Sequence, residues 1–175
     1  MAMQINHAIL LTDDICINLN VNSIDELNDD DRTLLLKAKE AAQNAYAPYS
    51  KFRVGAAVRL ANGLIVIGNN QENAVYPVGL CAERVALFSA QANYPDQPIV
   101  ALAVTAIGSD GKISQPVPPC GSCRQAMIEA ESRHNQPLRV IMQGEEGPII
   151  ISEKMDNLMP LTFAEDFLKK YTELV

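Results

Sequence analysis

The chain has 175 residues, 48% apolar and 20% charged, with 14 Lys and Arg against 21 Asp and Glu, a net charge of −7. This is ordinary globular usage, which excludes a fibre or a disordered chain, and the length suits one domain whose core needs no disulfide staples. The acidic balance leaves no basic stripe for nucleic acid. No run nears the roughly 20 apolar residues of a membrane span, and the start, MAMQINHAILLTDD, lacks both a basic leader and a long apolar stretch, so a cytoplasmic protein is expected.

In chain order, the alternation of Ile15, Ile17, Leu19 and Val21 predicts one short strand within residues 1–26, an extension packed on the main domain. Asp29 to Asp31 reads as a solvated helix cap, with acids at the positive end of the helix that follows. That helix runs through RTLLLKAKEAAQNAYA and is expected to stop at Pro48 and Ser50. Phe52 to Leu60 alternates, Ala61-Asn62-Gly63 reads as a turn, and Leu64 to Ile67 continues, so residues 52–69 are expected to form a hairpin. After the polar, turn-rich NNQENAVYPVGL comes a helix from Cys81 to Asn93.

Ile99 to Ile107 is a continuous apolar run, as in a strand buried on both faces. A loop leads to a helix over 121–134 and a strand over 138–142, which together make a βαβ unit, right-handed by the general rule. Gly144-Glu145-Glu146-Gly147 is too short for a parallel crossover, so the last two strands are expected to be antiparallel. The fold class is therefore α/β: three layers, with a mixed five-stranded sheet flanked by helices. Residues 162–171 read as a last helix, with Thr162 and Glu165 as a capping box.

The cysteines carry the chemistry. Cys81 opens one predicted helix, and Cys120 and Cys123 open another. Helix N-termini favour thiolate over thiol. Two such helices meeting end-on place three sulfurs around one ion, and zinc suits that donor set. Three protein ligands leave an open position, where bound water becomes acidic near neutral pH. Glu83, two residues after Cys81, is placed to shuttle protons without ligating the metal. The remaining cysteine, Cys16, reads as a small buried hydrophobe, and His7 and His134 as surface residues.

A zinc ligand with Glu two residues on, followed by P-C-x-x-C, is the pattern of zinc-dependent deaminases. The segments YAPYSKFRVGAAV (46–58), NNQENAVYPVGLCAERVAL (69–87), PPCGSCRQ (118–125) and, more weakly, LMPLTF (158–163) resemble the cytidine deaminases of nucleoside salvage. On this resemblance residues 27–175 are the catalytic domain, and the first 25 or so residues match nothing in that family. The resemblance implies Zn2+ on Cys81, Cys120 and Cys123, with Glu83 as the catalytic proton carrier. Arg84 would hydrogen-bond the thiolates and withdraw charge from them. Phe52 would lie near the pyrimidine, Asn70 and Glu72 would bind the ribose hydroxyls, and the Ala82 backbone would contact the base. Phe163 would reach into a neighbouring subunit's site in a homotetramer.

The implied reaction is attack of zinc-bound hydroxide on C4 of cytidine or 2′-deoxycytidine, releasing ammonia and leaving the uridine product. Two other readings compete. One is a deaminase of another aminopyrimidine, such as blasticidin S or a base within RNA. The other is a structural zinc module that binds a partner and turns over nothing.

Overall fold

The computed structural model describes residues 17–21, 23–109, 112–164 and 168. In chain order the elements are β1 (Ile17–Val21), α1 (Asp29–Gln43), β2 (Arg53–Leu60), β3 (Ile65–Asn69), α2 (Ala82–Asn93), β4 (Ile99–Ile107), α3 (Gly121–His134), β5 (Arg139–Gln143) and β6 (Ile149–Ser152). Short 3-10 helices cover Ile24–Glu26, Tyr76–Val78 and Met155–Asn157. Among the described residues no helix is long and apolar enough to cross a membrane.

The strands form one sheet in the order β1-β6-β5-β4-β2-β3. β4 and β5 are parallel, and the other pairs are antiparallel. The five strands expected of the mixed sheet are all present, and β1 extends that sheet as a sixth, edge strand. β1 lies along β6 with Ile17 opposite Ser152 and an irregular register before Val21. Cys16, His7, most of the 162–171 helix and its Glu165 lie outside the described residues.

The two faces of the sheet differ in side-chain size. On the face under α1, β2 and β4 present Ala57, Ala101 and Ala103, joined by Ile141, Ile149 and Ile151. On the other face, Val58, Leu60, Leu102, Val104, Val140 and Met142 pack against α2 and α3. This strict alternation buries both sides of β2, β4 and β5. The small residues let helix backbones approach closely. A Cβ added at Gly68 of β3 would stand 2.4 Å from the Ala86 nitrogen and 2.7 Å from the Ala82 oxygen. Gly68 therefore seats α2 on the sheet, and with it the Cys81 end of that helix.

Two local expectations are corrected. α1 ends at Gln43, before Pro48. The following chain is claimed by a bridge in which Tyr46 N–H donates to Asn70 (3.0 Å) and Glu72 N–H donates to the Tyr46 carbonyl (2.9 Å). Asp31 is not solvated. It is buried, takes an ion pair from Arg139 at 2.9 Å, and faces Arg59 at 3.7 Å. Asn28 does cap α1, accepting from the Asp31 amide at 2.8 Å.

Candidate active site

Cys81 and Cys120 hold the N-cap positions of α2 and α3, both with extended backbone, and Cys123 lies in the first turn of α3. The two helices, packed on the same face of the sheet, bring the three sulfurs within 4.8 Å of one another. Cys81 and Cys120 are 3.8 Å apart and Cys120 and Cys123 3.4 Å. Zinc–thiolate bonds of 2.3 Å in a tetrahedron require sulfurs about 3.8 Å apart, so the donor set fits the ion. Among the described residues no fourth His, Cys, Asp or Glu joins the group. Three ligands leave one tetrahedral position for water or substrate.

The electrostatics also fit a dication. The Cys81 thiol is drawn down to about 5 by its hydrogen bond with Cys123 first, then by Arg84 and Cys120, against the opposing effect of burial. Cys123 is pushed up by its bond to Cys81, by burial and by the Glu83 charge. Cys81 thus ionises with ease while Cys123 resists ionisation. A thiolate at Cys123, beside that of Cys81, is favoured by a cation between them. Arg84 donates from Nη2 to Cys81 at 3.8 Å, and its interactions with Cys81 first and then Cys123 hold the guanidinium firmly charged.

Glu83 is 5% exposed, and burial pushes its carboxyl above the ordinary range. It lines a cleft of about 630 Å3 together with Cys81 and Cys120. Val54 and Val104 supply apolar wall, and Asn70 and Glu72 stand in the wall as well. That volume lies within the range of small-molecule sites.

Asn70 and Glu72 are also tied to the chain around them. Asn70 accepts from Val54 N–H at 2.7 Å and donates to the Phe52 carbonyl at 3.0 Å. The Glu72 carboxylate accepts from Tyr49 N–H at 2.9 Å, from Ser50 N–H at 3.3 Å and from the Ser50 hydroxyl. Those bonds, the hydroxyl first, hold its carboxyl below the ordinary range. Phe52, Ala82 and Phe163 are not among the residues that line the cleft. Ala82, the first residue of α2, is fully buried, and Phe163 is half-exposed, with its carbonyl accepting from Gln125 at 2.7 Å.

Sequence reasoning missed Ser50 and Tyr49, which organise Glu72. Both sit inside the 46–58 segment, but their partner is more than 20 residues away. It also missed Val104 and Val117 in the cleft wall, where an apolar residue carries no signal distinguishing wall from core.

Comparison with known proteins agrees with this geometry. A family profile described as the cytidine and deoxycytidylate deaminase zinc-binding region matches residues 28–136. A cytidine deaminase of Halalkalibacterium halodurans is 44% identical over 138 residues, covering 78% of this chain and 97% of that one. Among solved structures, the cytidine deaminase of Burkholderia pseudomallei superimposes with a TM-score of 0.67 at 37% identity, covering 78% of this chain and all of that one. The cytidine deaminase of Mycobacterium tuberculosis gives 0.60 at 30% identity, with 78% and 98% covered. A profile spanning more than half of the chain, a relative matched almost end to end, and a trio of sulfurs at zinc spacing place this chain in the cytidine deaminase family of zinc-dependent hydrolases.

Proposed function

We propose that the protein hydrolyses cytidine and 2′-deoxycytidine to uridine and 2′-deoxyuridine with release of ammonia. The observation that carries this reading is a buried carboxyl, Glu83, in the same cleft wall as a three-thiol metal site. When bound, zinc acidifies a water and so supplies the nucleophile near neutral pH. Glu83, held toward its neutral form by burial, carries a proton to ring nitrogen N3 and later one to the departing amine at C4. Matching its proton affinity to that task is what a general acid–base group needs. Water adds OH to C4 and the C–N bond breaks, so cytidine and water balance to uridine and ammonia.

Asn70 and Glu72 face the sugar from the cleft wall, and Ser50 and Tyr49 keep Glu72 ionised there. A site of this kind disfavours a free base with no sugar hydroxyl at all, because its polar groups are then left unpaired. Phe52, between the cleft residues Ser50 and Val54, and the Ala82 backbone, between Cys81 and Glu83, are assigned to the base although neither lines the cleft, and Arg84 tempers the thiolate charge. The net charge of −7 speaks against a polynucleotide substrate. Residues 27–175 form the catalytic domain and residues 1–26 an extension. The enzyme works in cytoplasmic pyrimidine salvage as a homotetramer whose sites are shared through Phe163. Exposed Tyr76, Leu161 and Phe163, at 77%, 80% and 56%, support an apolar contact between copies.

The test is steady-state assay of zinc-loaded protein on cytidine, 2′-deoxycytidine and blasticidin S, reading both the ultraviolet change and ammonia. Turnover of the two nucleosides is expected. Stoichiometric zinc with no amine released from any of the three overturns the catalytic reading.

A further inference from the structure

Arg124 stands in the first turn of α3, next to Cys123. A cation there opposes the helix dipole, so local structure gives it no support. It makes two bonds instead, one to the turn just before the helix and one to a distant segment. Nε donates to the Pro119 carbonyl at 2.9 Å and Nη1 donates to the Leu158 carbonyl at 2.9 Å. Pro119 immediately precedes Cys120, so the first bond grips the peptide unit from which that ligand hangs.

The Cys120 turn needs such a grip. Cys120 is the exposed member of the trio, while Cys123 is buried. It follows Pro118 and Pro119, which have no N–H to pin the loop to a neighbour. The loop therefore depends on a donor reaching its carbonyls from outside. A guanidinium offers several donors in one rigid plane, so a single side chain can hold two main-chain carbonyls at once. The second carbonyl belongs to the turn after Met155–Asn157, and the next residue of α3, Gln125, holds the Phe163 carbonyl at 2.7 Å.

We propose that Arg124 is a positioning residue for the metal centre: by clamping the Pro119 and Leu158 carbonyls together it fixes the Cys120 sulfur relative to Cys81 and Cys123. This inference rests on zinc being the resident ion. It differs from the part given to Arg84, which touches a sulfur directly.

The experiment compares wild-type protein with Arg124→Met, Arg124→Lys and Gln125→Ala, all zinc-loaded. Zinc transfer to an excess of colorimetric chelator is measured, with the visible spectrum of each cobalt-substituted protein and the Tm of apo and zinc-loaded forms. Loss of a group that orients a metal ligand weakens metal binding about 10- to 100-fold, so Arg124→Met is expected to release zinc faster by that order and to shift the cobbalt–thiolate bands. The rise in Tm produced by zinc shrinks accordingly. Arg124→Lys, able to reach one carbonyl, falls between; should Arg124→Met not fold, the lysine variant carries the same comparison. Gln125→Ala releases zinc as wild type does. Wild-type release and cobalt bands in the Arg124 variants, or an equal fall in the Tm of apo and loaded forms, overturn the proposal. Equal acceleration by Gln125→Ala does so too. A wild-type protein that takes up no zinc overturns the metal reading itself, and that outcome is distinguishable because it appears before any variant is compared.

Discussion

Glu83 shows how one residue's position sets its chemistry. As a first-turn acid of α2 it complements the helix dipole, a role any exposed carboxylate could fill. Burial beside the sulfurs changes that role, because desolvation favours the neutral carboxyl. Glu83→Gln keeps the shape of the side chain but cannot exchange a proton. The variant is expected to retain stoichiometric zinc by elemental analysis and to lose at least about 10²-fold in kcat. Ser50 acts on Glu72 in the opposite direction. Its hydroxyl is the largest cause of a depressed carboxyl, so the charged form persists to lower pH than in an ordinary Glu. Glu72's contribution is present above its unfolded value and fades as pH falls through the folded value. Ser50→Ala moves the folded value back up. Its KM for cytidine is expected to rise severalfold with little change in kcat, and the rise on acidification should begin at higher pH than in wild type.

Among elements, α2 and α3 matter most, since their N-termini carry the ligands. The bounds expected for β4 and α3 from sequence, 99–107 and 121–134, are those observed. A buried strand and a helix opening after two prolines are locally marked. The end of α1 was not legible, because a bridge from Tyr46 to residues after β3 stops it, and no local signal announces a partner that far along the chain. The seat of α2 on β3 hangs on one missing side chain. Gly68→Val drives a Cβ into the Ala86 and Ala82 backbone, which cannot move as a flexible side chain would. It is expected to cost about 3 kcal/mol in denaturant unfolding and to lower zinc content, since α2 carries Cys81.

For the whole molecule, the sheet fastens its layers through Asp31. From the start of α1 it meets Arg139 of β5 and Arg59 of β2, and Arg139 also pairs with Glu153. Removing one partner of a buried pair strands the others. Asp31→Ala is therefore expected to lower stability by about 3 kcal/mol in denaturant unfolding, while the sulfur trio, on the opposite face, keeps its zinc. Association is checked separately. If the proposed tetramer forms, Phe163→Ala is expected to raise KM and weaken association in sedimentation; a fully associated protein with wild-type KM would remove Phe163 from the proposed shared site.

Residue types and short-range periodicity by themselves determined the donor chemistry, the βαβ core and the antiparallel last hairpin, because thiolates, a nearby carboxylate, alternation and loop length act within a few residues. Tertiary structure alone decided that Asp31 is buried, that Asn70 and Glu72 are bound to the 49–54 backbone, and that Arg124 grips the Cys120 turn. Each depends on hydrogen bonds or ion pairs to groups that only the folded chain brings within reach, and on how much water the packing leaves around them.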